Sequence, residues 1–214
     1  MSNLDISSLI TLVLVLIVSV VGHEIAHGFV AFKFGDDTAK SQNRLSLNPL
    51  RHIDLLGTII VPSLMFYAGG ILFGWAKPVP INPYLITKNG GYFGMICVSL
   101  AGIVFNALLC ILSFISLYAN LVPNELVRAI YMLFSINLIL AIFNLYPVPP
   151  LDGSKALAYI LRIFKFDNIA NLYQKLNRYG FIILILIIIT PASKVIFMPI
   201  FSLLELANEI LSSR

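Results

Sequence analysis

From Ile6 to Phe34 the chain reads ISSLITLVLVLIVSVVGHEIAHGFVAFKF. About 20 apolar residues suffice to cross a bilayer as a helix, and this run is long enough. Its polar interruption is His23-Glu24-Ile25-Ala26-His27. Residues four apart share a helix face, so His23 and His27 can turn toward one point with Glu24 beside them. Two imidazoles at that spacing can hold a metal ion, and an adjacent carboxylate can serve as a general base. Three ionisable groups within five residues at membrane depth are costly unless they bind something.

Composition sets the same frame for the whole chain. Of 214 residues, 59% are hydrophobic and 11% charged, which excludes an ordinary soluble domain and matches a polytopic membrane protein. The net charge of +4 comes without a basic run or an aromatic-interleaved basic stripe, so it reads as topology-setting loop charge and not as nucleic-acid binding. Cys97 and Cys110 fall in one apolar segment and read as small core hydrophobes. No Lys or Arg precedes the first apolar run, which also exceeds a signal-peptide core, so the run is expected to be retained.

Working outward, a polar stretch spans Gly35 to Asp54. The next apolar block, Leu55 to Trp75, is interrupted by Gly57, Pro62, Gly69, Gly70 and Gly74. Lys77 to Asn89 is rich in Pro and Asn and reads as an extended loop, with Trp75 to Asn82 an edge limited by its prolines. Tyr92–Leu121 and Leu126–Tyr146 read as two antiparallel spans joined near Pro123-Asn124. Ser154 to Arg178 is mixed and basic, a membrane-surface helical hairpin. Phe181–Thr190 is cut by Pro191, and Val195–Leu211 forms a last apolar helix. The expected fold is an all-α polytopic membrane protein in one domain, residues 1–214: a helical bundle with a re-entrant or broken hairpin and a short extended edge.

A catalytic zinc takes three protein ligands and keeps one position open, so His23 and His27 need a third. Spacing leaves His52, Asp54, Asp36 and Asp152 as candidates, and Asp152-Gly153 after prolines can equally be a plain turn.

His23-Glu24-Ile25-Ala26-His27 together with Asn144-Leu145-Tyr146-Pro147-Val148-Pro149-Pro150-Leu151-Asp152-Gly153 resembles the site-2 protease family of intramembrane zinc metallopeptidases, which pairs HExxH with NxxPxxxLDG. Asn48 to Thr58 and Gly74 to Asn82 resemble the compact bacterial branch that lacks a PDZ domain. The resemblance implies one zinc ion held by His23, His27 and Asp152, with Glu24 as catalytic base and Asn144 holding the substrate backbone or the oxyanion. Ala101 to Asn106 matches the family's AGPxxN in part, with Ile103 in place of proline. His52 is read as a surface or outer-shell histidine.

The chemistry expected of such a set is hydrolysis of a peptide bond by a zinc-activated water that gives its proton to Glu24. Asn106 and Asn144 are candidate donors to the oxyanion, although amides in apolar helices also act as interhelical glue. A helical substrate hides its carbonyls, so the cleaved segment must unwind, and Trp75, Lys77, Pro78, Val79 and Pro80 are candidate substrate-binding residues. The expected partners are single-span membrane proteins and the lipid bilayer, with no nucleic acid. Two other classes fit the same residues less well. A metal-ion or proton transporter would use the intramembrane charges as a pathway, but no inverted repeat is present. A silent scaffold would not need four chemically competent positions. Counting crossings places His27 and Asp152 on one side and makes Leu55–Trp75 re-entrant. Lys and Arg in the loops place that side in the cytoplasm of a plasma-membrane protein.

Overall fold

The computed structural model describes residues 6–61, 63, 64, 67, 74 and 76–213. Among them all regular structure is helical. Helix α1 (Ile6–Lys33) buries Ser8, Ser19, Gly22 and His23 while exposing Leu9, Ile10, Val13, Leu14 and Val18. Polar residues inward and aliphatic residues outward is the arrangement expected of a helix whose outer solvent is lipid.

Three short elements follow: a single helical turn at Thr38–Ser41, a 3-10 turn at Pro49–His52 and a π-helical stretch at Leu55–Ile60. The expected re-entrant turn at Pro62, Gly69 and Gly70 lies outside the described residues, as does Trp75. Residues 76–82 carry no regular structure, and no strand occurs among the described residues. The expected edge is therefore an irregular strap.

Helix α2 (Pro83–Tyr118) begins nine residues before the expected span, within what reads as loop. The Asn82 side chain accepts from Tyr84 N at 3.1 Å and Pro83 occupies the first turn, a capped start that needs no apolar sequence. Gly91, at φ 60°, breaks this mixed first segment from the apolar one, so the apolar span still starts at Tyr92. Helix α3 (Asn124–Leu145) returns antiparallel to α2. Amphipathic helices α4 (Asp152–Ile163) and α5 (Asp167–Asn177) form the expected hairpin.

The last apolar stretch is two elements, α6 (Gly180–Ile189) and α7 (Ala192–Ser212). Ten residues reach only ~15 Å, half a hydrocarbon core, so α6 cannot cross alone. It bends by 77° from α5. Helix α7 runs antiparallel to α3, tied near one end by Tyr146 Oη to Ile196 O (2.6 Å) and near the other by Tyr131 Oη to Asn208 Oδ1 (2.6 Å). Among the described residues, four helices, α1, α2, α3 and α7, are long and apolar enough to cross a membrane. Helix α2 packs against α1, α3 and α4, and this places the end of α1 beside the start of α4.

Candidate metal centre

His23 and His27 lie one turn apart on α1, and Asp152 opens α4 after the proline-rich turn that ends α3. Their ligand atoms form a nearly equilateral triangle. His23 Nε2 is 3.0 Å and His27 Nε2 3.1 Å from Asp152 Oδ2, and the two Nε2 atoms are 3.1 Å apart. Among the described residues this is the one group of three or more His, Cys, Asp or Glu side chains able to share an ion.

The outer contacts define which ring nitrogens face inward. His23 Nδ1 donates to Asn106 Oδ1 (2.5 Å) and His27 Nδ1 donates to Val98 O (2.6 Å). Both protons are thereby on Nδ1, and both Nε2 lone pairs point at Asp152 Oδ2 with no proton between them. A cation resolves that repulsion. Zinc bonds of ~2.0–2.1 Å in a tetrahedron separate neighbouring ligand atoms by about 3.3 Å, close to the spacings here. The donor set, two imidazoles and one carboxylate, fits a zinc ion and leaves room for a fourth ligand.

The other oxygen of Asp152, Oδ1, accepts from Lys155 Nζ at 2.8 Å. Burial on its own would raise the Asp152 pKa. The ammonium of Lys155 beside it acts the other way and favours the ionised carboxylate. Asp152 can thus offer Oδ2 to an ion while its other oxygen is committed to a lysine. Gly102 makes the close approach possible: a Cβ there would lie 2.4 Å from His23 Cε1 and Nε2.

Glu24 stands outside the triangle. Its Oε2 accepts from Val79 N at 2.8 Å, which brings the strap at residues 76–82 against α1. Next to the strap, a cleft of ≈ 250 Å³ lies among Ile81, Met95, Ser99, Lys155, Tyr159 and Tyr173. Lys155 thus joins the cleft to the metal ligands.

Comparison with known proteins agrees with this arrangement. The model of peptidase family M50 matches residues 118–188. YwhC of Bacillus subtilis (strain 168), named provisionally as a zinc metalloprotease, is 37% identical over 197 residues, 88% of this chain and 84% of YwhC. The chain belongs to peptidase family M50, the site-2 protease family. Rip2 of Mycolicibacterium smegmatis, named in the same way, is 28% identical over 79% of this chain and 63% of its own length. Rip2 of Mycobacterium tuberculosis (strain H37Rv) is 30% identical over 68% of this chain and 55% of its own length. No solved structure gives a significant match.

The remaining candidate residues fall in less expected places. Asn106 is fully buried and both ends of its amide are spent: Oδ1 on His23, Nδ2 on Ser19 O (3.2 Å) and Asn137 Oδ1 (2.7 Å). In this arrangement its amide hydrogens are engaged and its oxygen is the acceptor that orients His23, which supports the interhelical reading of this amide over oxyanion donation. Asn144 Nδ2 donates to Leu140 O on its own helix at 2.9 Å.

Asn137 was not singled out by motif. It is fully buried and completes the network through Ser19 Oγ (2.8 Å) and Leu133 O. Lys155, three residues after Asp152, was likewise missed, although its i,i+3 spacing on a helix offered a signal.

Of the other candidate ligands, His52 is 2% exposed and so not at the surface. Its Nε2 contacts Ser46 O at 2.9 Å, away from the metal group. Asp36 is buried and accepts from Thr38 N and Asn82 N, while Asp54 caps Gly57 N.

Much of the strap's backbone is already engaged. Lys77 N donates to His52 O, Lys77 O and Pro78 O accept from Arg44, Val79 N is on Glu24, and prolines 78 and 80 have no N–H. Lys77, Pro78, Val79 and Pro80, expected to bind the substrate, thus form a wall beside the site.

Proposed function

We propose that this chain is a zinc-dependent intramembrane endopeptidase that cuts membrane-protein substrates within or beside a transmembrane segment. The observation that carries the reading is the convergence of His23 Nε2, His27 Nε2 and Asp152 Oδ2 with Glu24 beside them, on a helix long and apolar enough to cross a membrane. It is supported by family membership and by the names of YwhC and Rip2.

His23, His27 and Asp152 would hold a zinc ion, which when bound would supply a Lewis acid able to lower the pKa of water toward about 7 and to polarise a peptide carbonyl. Glu24 does the proton work. With Oε2 fixed by Val79 N–H, Oε1 is left to take a proton from the attacking water and return it to the leaving amine. Asn106 and Val98 O hold the imidazoles in the tautomer that ligation needs, and Lys155 keeps Asp152 ionised and bound through one oxygen.

The substrate must expose a backbone carbonyl, so a helical span has to unwind before it enters. The cleft between the strap and α4 is where we place the unwound chain, and Asn144 is assigned to the substrate side. Single-span proteins fit this entry, and helix-breaking residues near the cut favour it. The Lys and Arg residues of the loops support a site toward the cytoplasmic face of the plasma membrane.

The test is reconstitution of the purified chain with a single-span substrate in nanodiscs, with the cut bond located by mass spectrometry. A cut within or next to the apolar segment is expected. Cleavage confined to soluble regions contradicts the intramembrane reading, and zinc flux into liposomes without cleavage favours a transporter.

A further inference from the structure

We infer that the strap at residues 76–82 is a positioning element for Glu24, and that buried Arg44 sets it by gripping the two carbonyls that precede Val79. The inference rests on the proposed role of Glu24 as base.

The strap presents one amide to the site. Pro78 and Pro80 flank Val79 and have no N–H, so Val79 N–H is the single backbone donor between Lys77 and Ile81. That donor goes to Glu24 Oε2 at 2.8 Å. The Val79 side chain is buried, and its Cγ1 lies 2.8 Å from where a Cβ on Gly28 would be. Gly28 is one turn beyond Glu24 on α1, so the absence of a side chain there lets the strap rest directly on the helix that carries the base.

Three further anchors fix the strap. Arg44 Nη2 donates to Lys77 O (2.7 Å) and Pro78 O (3.2 Å). Lys77 N donates to His52 O (2.9 Å), and Asn82 N to buried Asp36 Oδ2 (2.6 Å). Arg44 is 7% exposed, its Nε has no partner, and no carboxylate among the described residues pairs with it. A buried guanidinium facing only carbonyls is a poor device for stability, because desolvation is not repaid by a counter-charge. It is a good device for fixing two successive peptide planes. Those planes aim Val79 N–H, and Val79 N–H holds one oxygen of Glu24 while the other is left for the proton transfer. Arg44 and Val79 act through Glu24, as positioning residues.

The test uses the full chain with Val79→Pro, Arg44→Met and Arg44→Lys, measuring kcat and KM on the single-span substrate, zinc per chain, and the Val79 amide signal in selectively 15N-valine-labelled protein. Val79→Pro removes the donor, and Arg44→Met keeps the bulk of the side chain without its donors. Both are expected to lower kcat about 10- to 100-fold with KM within about 3-fold and zinc unchanged, and Arg44→Lys should restore part of the loss. In otherwise wild-type protein, Glu24→Gln should move the Val79 amide signal, a readout that needs neither zinc nor turnover.

A rise in KM with kcat unchanged would make the strap a substrate contact and overturn the inference. So would a Val79 amide indifferent to Glu24→Gln. If Val79→Pro does not assemble, the Arg44 pair and the amide signal decide. Absence of cleavage by the wild type would fail the proposed activity, whereas the amide response tests the Glu24 contact independently.

Discussion

Replacing Asn106 with Ala separates two roles that one amide could have. The side chain meets His23 Nδ1, Ser19 O and Asn137 Oδ1, all in the buried interior shared by α1, α2 and α3. Truncation leaves those three groups without their partner, at about 1–3 kcal/mol each before relaxation. Thermal stability should therefore fall measurably. The more specific effect is on zinc. An outer-shell acceptor that fixes a ligating imidazole is worth about 10- to 100-fold in metal affinity, or about 1.4–2.8 kcal/mol. Zinc competition against a chromophoric chelator in detergent should show the Kd of Asn106→Ala rising by that factor. Asn106→Asp keeps an oxygen for His23 Nδ1, so its zinc affinity should stay nearer the wild type, while its carboxylate opposes Asn137 Oδ1 and Ser19 O and lowers stability. An unchanged zinc Kd in Asn106→Ala together with a large loss of kcat would refute the orienting role and return Asn106 to the oxyanion.

Gly102→Ala places a methyl group 2.4 Å from the His23 ring, so zinc content should drop well below one per chain while membrane insertion persists; full zinc occupancy by metal analysis would count against the packed geometry of α1 on α2. Lys155→Met frees Asp152 Oδ1, and zinc Kd should rise about 10-fold with Lys155→Arg recovering most of it; equal affinities in all three proteins would remove Lys155 from the site.

The parts of this molecule that announce themselves in the sequence are those set by local spacing. His23, Glu24 and His27 lie within five residues on one helix, and the distant Asp152 could be paired with them through a recognisable motif, though spacing alone left four candidates. The apolar spans were legible because lipid demands long hydrophobic runs. The start of α2 was not, since Pro83 to Gly90 is mixed in character, with Thr87, Lys88 and Asn89 breaking the apolar pattern, and is held helical by an Asn82 cap and a tertiary seat against Phe34. The network around the ligands was also hidden. Asn106 meets His23 across 83 residues, and Asn137 meets Ser19 across 118, so their partners exist only after α1, α2 and α3 have packed. Arg44 looked like a loop cation, and nothing near it in sequence says that it is buried against the backbone of Lys77 and Pro78.

The most direct measurement is zinc content and substrate cleavage on the same preparations of wild type and Glu24→Gln. Glu24 lies outside the ligand triangle and touches Val79 N. Both proteins should carry close to one zinc per chain, and the wild type alone should cut the single-span substrate. Loss of zinc in Glu24→Gln, or cleavage that survives the substitution, would contradict a base acting beside a His23, His27 and Asp152 metal site.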